Sequence, residues 1–231
     1  MSFISAVIPA AGYGLRFKTD TPKTLIHLNR KPLFIYPLEI INRHPQIDEI
    51  VLVVPLDYLA LFKRWLKDYR IKKIKAVIPG GRTRQESVRK GLGEISPECQ
   101  WVLIHDAVRP FINLRMISEA ISSAKRYGAV TFGIPVSSTL KSVDKAQFVK
   151  RTLKRDSIWE SHTPQVFKKE LILEAHRRCK DEAFNDDAGM MERLGIKVKM
   201  IRGTPWNLKL TYPEDLLLAE VILKYKKRYG L

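Results

Sequence analysis

The sequence predicts an α/β fold of three αβα layers around a mostly parallel sheet, and three observations predict it. Short β-rich apolar runs recur along the chain. Stretches with helical periodicity lie between them. Hydrophobic residues make up 45% and charged residues 28%, which suits a packed core and not a disordered chain. Fully apolar strands alternating with amphipathic helices are what a parallel sheet covered on both faces requires.

Taken in order, the strand-like runs are Ile4 to Pro9, Ile50 to Pro55, Ala76 to Pro79, Trp101 to His105, Ala129 to Pro135 and Val198 to Arg202. Each is β-rich, apolar and short. Helical periodicity fills Leu56 to Tyr69, Gln85 to Ile95 and Met116 to Tyr127. Thr83 and Glu86 have capping-box spacing and mark a helix start; Thr211 and Glu214 repeat that spacing before the last helix. One segment breaks the alternation. Residues 137–163 are polar and rich in Lys and Arg, about as long as a hairpin excursion. A segment that buries so little of itself is suited to packing on a second subunit, and a dimerisation arm is expected there. With no repeat or low-complexity linker, 231 residues read as one domain spanning 1–231.

Several classes are excluded. The N-terminal stretch reaches Pro9 and Gly12 too early for a secretory leader. No apolar run approaches the roughly 20 residues of a membrane span. Cys99 and Cys179 are too few for a disulfide framework and lack metal-site spacing. A cytoplasmic protein without membrane contact is expected. The formal charge of +17 is the footprint of many nucleic-acid binders, but the cations are spread along the chain, with only short clusters at Ile71 to Lys75 and Lys224 to Arg228. A solvated Lys-rich surface accounts for most of them, and a minority could line a pocket for anionic substrates.

In open α/β sheets ligands bind beyond the carboxyl ends of the strands, so the loops there hold the candidates. The first reads Pro9-Ala10-Ala11-Gly12-Tyr13-Gly14-Leu15-Arg16-Phe17. Gly12 and Gly14 let backbone N–H groups cradle phosphate oxygens, and Arg16 and Lys23 follow as two cations for a triphosphate. Phe17 replaces the third glycine of a dinucleotide fingerprint, and the Gly-Lys-Ser/Thr ending of a Walker A loop is missing. The second loop, Gly80-Gly81 with Ser87, opens a helix whose N-terminal donors suit a polar nucleotide group. The third puts Asp106 at the rim of an apolar strand, where a carboxylate can hold Mg²⁺ against phosphates, with Arg109 as a phosphate fork. His105 reads as support for that site. Further on, Arg155 and Thr163 lead to a Pro-Gln turn, and Asn207 to Thr211 read as a strand end bearing Lys209. Trp159 and Trp206 read as packing residues, and Met190-Met191 as a helix contact. Each feature taken singly also has a plain structural explanation.

Together these motifs resemble the 2-C-methyl-D-erythritol 4-phosphate cytidylyltransferases. The likeness runs in order through Pro9-Ala-Ala-Gly-x-Gly-x-Arg16, Pro22-Lys23, Gly80-Gly81 with Ser87, His105-Asp106-Ala107-x-Arg109-Pro110, Thr163-Pro164-Gln165, and Lys209 before Pro213-Glu214-Asp215. The resemblance implies a glycosyltransferase-A-like, Rossmann-like nucleotide-binding fold and a homodimer with exchanged arms. It implies CTP and methylerythritol phosphate as substrates and Mg²⁺ as cofactor. Ala10, Ala11, Gly12, Gly14, Gly80, Gly81 and Ser87 would bind CTP. Arg16, Lys23 and Lys209 would be catalytic, and Asp106 would hold the metal and face the acceptor. Arg109 and Thr163, with Thr139 and Arg155 from a partner's arm, would hold the acceptor phosphate. The chain departs from the family's usual residues at Asn185 (commonly Thr), His162 (commonly small or apolar) and Trp206 (often acidic). A ribitol-5-phosphate cytidylyltransferase is the alternative within the class, disfavoured by the Pro9-Ala10-Ala11-Gly12 wording of the first loop. A basic nucleic-acid-binding protein is the alternative outside it, and leaves the ordered motifs unexplained.

Overall fold

A computed structural model describes residues 2–12, 14, 17 and 21–229, the last three as backbone only. The chain runs β1 (Ile4–Pro9), β2 (His27–Leu28), β3 (Lys31–Pro32), α1 (Ile35–Arg43), β4 (Glu49–Val54), α2 (Leu59–Asp68), β5 (Ile74–Pro79), α3 (Arg84–Leu92) and β6 (Trp101–Ile104). It continues with α4 (Leu114–Tyr127), β7 (Ala129–Pro135), β8 (Lys141–Val143), β9 (Val149–Thr152), β10 (Trp159–Lys168), α5 (Lys169–Arg178), α6 (Asp187–Arg193), β11 (Lys199–Arg202) and α7 (Glu214–Tyr229). Seven strands form the central sheet in the order β11-β7-β10-β6-β1-β4-β5. All neighbours are parallel except β10, which runs antiparallel to both β6 and β7.

The period-2 alternation of the strands divides their side chains between two cores. On one face Ile4, Ala6 and Ile8 of β1 and Ile50, Leu52 and Val54 of β4 pack with residues of α1, α2 and α4. On the other, Val7, Val51 and Val53 meet Val88 and Leu92 of α3, Ile172 of α5, and Met190 and Met191 of α6. Burial of each such aliphatic side chain contributes roughly 1.5–3 kcal/mol. Helices on both faces explain why these strands are apolar throughout. A third cluster ties α7, through Ala219 and Ile222, to Leu28, Leu33, Val108, Phe111 and Leu210.

Local signals set the element ends nearest the site. Thr83 caps α3 by accepting from the Glu86 N–H at 3.0 Å, and the Glu86 carboxylate accepts from the Arg82 N–H at 2.8 Å. Asn113 caps α4 by accepting from Met116, and Gly128 ends it at φ +84°.

The structure corrects four expectations. The excursion at 137–163 is shorter than the sequence suggests: the hairpin of β8 and β9 leaves the sheet, but Trp159 already pairs with Pro135 and begins central strand β10. Residues 207–211 are not a strand end, since β11 stops at Arg202. Thr211 and Glu214 do not form a capping box; the Asp215 carboxylate instead accepts from the N–H groups of Thr211 and Tyr212. Trp206 is half-exposed and stacks on Tyr225, ring centres 5.6 Å apart, not packed in a core.

Candidate active site

Three parallel strands deliver their loops to one rim. The β1 loop is drawn against β4 by the Ala10 N–H donating to the Val53 carbonyl at 2.7 Å, and the β5 loop by the Gly80 N–H donating to the Val54 carbonyl at 2.8 Å. Gly80 is required by this close approach, because a Cβ there would lie 2.2 Å from the Ala11 Cβ. The Ser87 hydroxyl accepts from the Gly81 N–H at 3.0 Å and donates to the Thr83 carbonyl at 2.9 Å, which fixes the turn into α3. Between the loops opens a cleft of about 620 Å³ lined by Ala10, Ala11, Gly12, Gly14, Gly81 and Ser87 together with Lys23, Arg84, Asp106 and Lys209.

Asp106 follows β6 and sits at the centre of a cluster of cations. Its carboxylate meets Arg84 Nε at 2.8 Å, Lys209 Nζ at 2.8 Å and Arg109 Nε at 3.8 Å. Burial alone would raise this carboxyl's pKa; Arg84, Lys209 and Arg109 together hold it well below the ordinary range. The loop is braced from behind. The Asp106 N–H donates to Thr163 Oγ1 at 3.0 Å, and that oxygen also lies 3.0 Å from His105 Nδ1. His105 bonds the Arg109 carbonyl through Nε2, and burial pushes its pKa down to about 4, so it braces the loop as a neutral ring. Arg109 donates from Nη1 to the Asn207 carbonyl at 2.7 Å, while the Asn207 amide donates to the Thr163 carbonyl at 2.7 Å. Lys23 Nζ donates to the Leu210 carbonyl at 2.8 Å, and the Leu210 N–H to the Val108 carbonyl at 3.0 Å. The 207–211 segment thereby presents Lys209 to Asp106 from an irregular strap.

A smaller cavity of about 130 Å³ adjoins the cleft, lined by Arg109, Ser161, His162, Thr163, Gln165 and Asp186. Arg84, Asp106, Asn185 and Lys209 border both spaces and mark their junction. Two anions placed one in each space would meet between two cations, Arg84 and Lys209. His162 lines the smaller cavity with its pKa lowered to about 4, first by burial and then by Arg109, so it adds no positive charge at neutral pH.

A family model described as 2-C-methyl-D-erythritol 4-phosphate cytidylyltransferase (IspD) matches residues 4–225. The chain belongs to that family. It is 38% identical over 224 residues to the 2-C-methyl-D-erythritol 4-phosphate cytidylyltransferase of Syntrophus aciditrophicus, covering 96% of both chains. It is 42% identical over 221 residues to that of Clostridium tetani, covering 95% of this chain and 89% of the relative. Among solved structures, the 4-diphosphocytidyl-2C-methyl-D-erythritol synthase of Anaerococcus prevotii superposes with TM-score 0.84 at 32% identity, covering 96% of each chain. The cytidylyltransferase of Thermus thermophilus superposes with TM-score 0.79 at 29% identity, covering 96% of this chain and 99% of that one. The Rossmann-like αβα fold expected from the sequence is thus the fold of this cytidylyltransferase family.

Of the residues expected at a cytidylyltransferase site, the structure gathers Ala10, Ala11, Gly12, Gly14, Lys23, Gly81, Ser87, Asp106 and Lys209 around the main cleft. Gly80 lies directly behind it, and Arg109 and Thr163 line the adjoining cavity. Thr139 and Arg155 are exposed on the arm and border neither space; Arg155 instead donates to the Ser137 carbonyl. Arg16 lies outside the described residues. Sequence reasoning missed Arg84, which pairs with Asp106 and, at 2.7 Å, with Asp187. It also missed Ser161, and it placed Asn207 and Gln165 within their motifs without giving either a role. The only local signal for Arg84 was its place on the first turn of α3, directly after the Thr83 cap.

Proposed function

We propose that the chain transfers CMP from CTP to 2-C-methyl-D-erythritol 4-phosphate, giving 4-diphosphocytidyl-2-C-methyl-D-erythritol and pyrophosphate, a step of isoprenoid precursor biosynthesis. The observation that carries this reading is the junction of the two cavities at Arg84, Asp106 and Lys209. The main cleft suits a nucleotide: the base faces the Gly80-Gly81 turn and Ser87, and the triphosphate runs over the β1 loop toward Lys23 and Lys209. The smaller cavity suits the acceptor's phosphate, with Arg109 and Thr163 at its wall. An acceptor phosphate oxygen entering there attacks the α-phosphorus in line, the α–β bridging bond breaks, and pyrophosphate departs toward Lys23. A phosphate monoester is already an adequate nucleophile, so positioning and charge neutralisation suffice. Lys23, Lys209 and Arg16 are the residues proposed to stabilise the growing charge.

Magnesium belongs to this proposal. Among the described residues no group of three or more His, Cys, Asp or Glu side chains is arranged to hold an ion. Asp106 alone fits an ion that brings its own phosphate ligands, since Mg²⁺ is commonly held by one or two carboxylates plus substrate phosphates. When bound, it would neutralise part of the phosphate charge.

We further propose a cytoplasmic homodimer. The arm carries exposed Val143, Phe148 and Val149, with Phe148 73% exposed. Thr139 and Arg155 on that arm would complete a partner's acceptor pocket. Phe148→Asp should shift the mass seen by light scattering toward the monomer; a dimer that survived it would argue against the arm as the interface. Among the described residues no helix is long and apolar enough to cross a membrane.

The deciding experiment is pyrophosphate release with Mg²⁺, CTP and methylerythritol phosphate, run beside other nucleotides and ribitol phosphate. Release should require CTP and prefer methylerythritol phosphate. Equal or better turnover of ribitol phosphate would overturn the acceptor, and silence with every acceptor would overturn the activity.

A further inference from the structure

Two buried ionisable groups behind the cleft, Asp187 and His176, take no part in the chemistry described above. Asp187 is the first residue of α6 and is fully buried, and His176 lies on α5 with 2% of its surface exposed. His176 Nε2 lies 3.0 Å from Asp187 Oδ1, and Asp187 Oδ2 accepts from Arg84 Nη1 at 2.7 Å. Arg84 Nε then reaches Asp106 Oδ1 at 2.8 Å. An unbroken chain of hydrogen bonds and ion pairs therefore runs from α5 to the carboxylate at the junction of the two cavities. The neighbouring Asp186 has a separate duty: one oxygen caps α6 at Gly189, and the other accepts from Ser161 and Gln165 of β10.

Stability does not account for this chain. Removing a carboxylate and a guanidinium from water is costly, and apolar replacements of such pairs are often neutral or stabilising. What the chain achieves is orientation. A guanidinium is planar, so fixing Nε on one carboxylate and Nη1 on another fixes where its remaining nitrogen lies. That nitrogen, Nη2, is buried without a partner, an arrangement that costs free energy until an acceptor arrives. Burial would lower the Arg84 pKa, but Asp106 and Asp187 raise it, so the charge is retained.

We propose that Asp187, braced by His176, is a positioning residue that holds Arg84 where the two substrate phosphates meet, and that Arg84 is a catalytic residue contacting the reacting phosphates through Nη2. The proposal rests on the cytidylyl-transfer reading above. In that geometry Arg84 gains its third hydrogen bond as phosphate charge builds at the junction. Asp187 touches neither substrate and acts only through Arg84.

The test is a double-mutant cycle of Arg84→Gln and Asp187→Asn in the full chain, read by steady-state pyrophosphate release with CTP and methylerythritol phosphate. Arg84→Gln should lower kcat by about 10²-fold, the size expected for losing one preorganised donor. Asp187→Asn should lower kcat by roughly 10-fold with little change in the KM for CTP, as loss of orientation without loss of the donor predicts. The double variant should be no slower than Arg84→Gln alone, because coupled residues are not additive. His176→Gln keeps the Asp187 charge and a donor toward it, so it provides a folded variant with a smaller kcat loss should Asp187→Asn prove unstable. Added guanidinium ion should restore turnover to Arg84→Gly, and should fail to restore it once Asp187→Asn is combined. Multiplying losses across the cycle, or rescue that ignores Asp187, would overturn the proposal while leaving wild-type activity intact. A wild type that released no pyrophosphate would remove the reading beneath it as well.

Discussion

Gly80→Ala tests whether the nucleotide slot depends on the contact between the β1 and β5 loops. The new Cβ would lie 2.2 Å from the Ala11 Cβ, 2.9 Å from Ser87 Oγ and 3.5 Å from Val53 Cγ1. Carbon atoms in van der Waals contact sit about 3.5–4.0 Å apart, so the two Cβ atoms are roughly 1.3 Å too close. Both are fixed to the backbone and no rotamer relieves them. The loops must separate, against the bonds from Ala10 to Val53 and from Gly80 to Val54. Overpacking of this kind costs about 1–3 kcal/mol. For a domain of this size each kcal/mol moves Tm by about 2–4 °C, so melting should fall by roughly 2–12 °C. A shift of about 1 Å in the slot can lower kcat/KM for CTP by ~10²-fold. The assays are thermal unfolding followed by circular dichroism and the CTP dependence of pyrophosphate release. Ala11→Gly in the Gly80→Ala background removes the worst contact and leaves one to the rotatable Ser87 hydroxyl, so most of the lost Tm should return. A Gly80→Ala variant matching wild type in both assays would refute the reasoning, as would a double variant that melts no higher than the single.

Three more expectations accompany it. Lys23→Ala should lower kcat by about 10²–10³-fold at saturating CTP, the scale of losing one charge-stabilising donor; an active variant would remove Lys23 from the mechanism. Thr83→Ala removes the acceptor for the Glu86 N–H and should cost about 1 kcal/mol in urea unfolding, whereas no change would mean α3 is held by packing alone. His105 is buried with its pKa lowered from 6.5 to about 4, so the unfolded chain takes up that proton first as pH falls. Its contribution is fully present above pH 6.5 and fades between pH 6.5 and about 4, by roughly 3 kcal/mol. His162 adds to the same slope. Below the ordinary carboxyl range, Asp106 and Asp187 add a further loss as pH drops through their lowered folded values. Urea midpoints from pH 7 to 4 should fall steeply in wild type and less steeply in His105→Gln; a flat wild-type profile would contradict the buried neutral ring.

The parallel strands were legible because both of their faces are apolar and their neighbours are amphipathic. Strand β10 was not. It holds Thr163, Pro164 and Gln165 at the middle of the sheet, residues that read locally as a turn. Thr163 bonds Asp106 and His105, and Gln165 bonds Thr131, partners each more than 30 residues away in sequence. A local pattern cannot register such partners. Arg84 was hidden for the same reason, with carboxylates 22 and 103 residues distant. The glycine turns, Lys23, Asp106 and Arg109 were visible because each follows a recognisable strand or turn. Lys209 was visible only through family resemblance, since the strap that carries it has no regular structure.

The reversed direction of β10 has a mechanical consequence. β7 leaves the sheet at its carboxyl end, at Pro135, and β10 re-enters opposite it at Trp159. Both roots of the arm therefore stand on the rim where the parallel strands present their loops. Thr163 lies four residues beyond the second root and holds the backbone of Asp106. The chain that roots the arm at the periphery is therefore the same stretch that holds the Asp106 backbone between the two cavities.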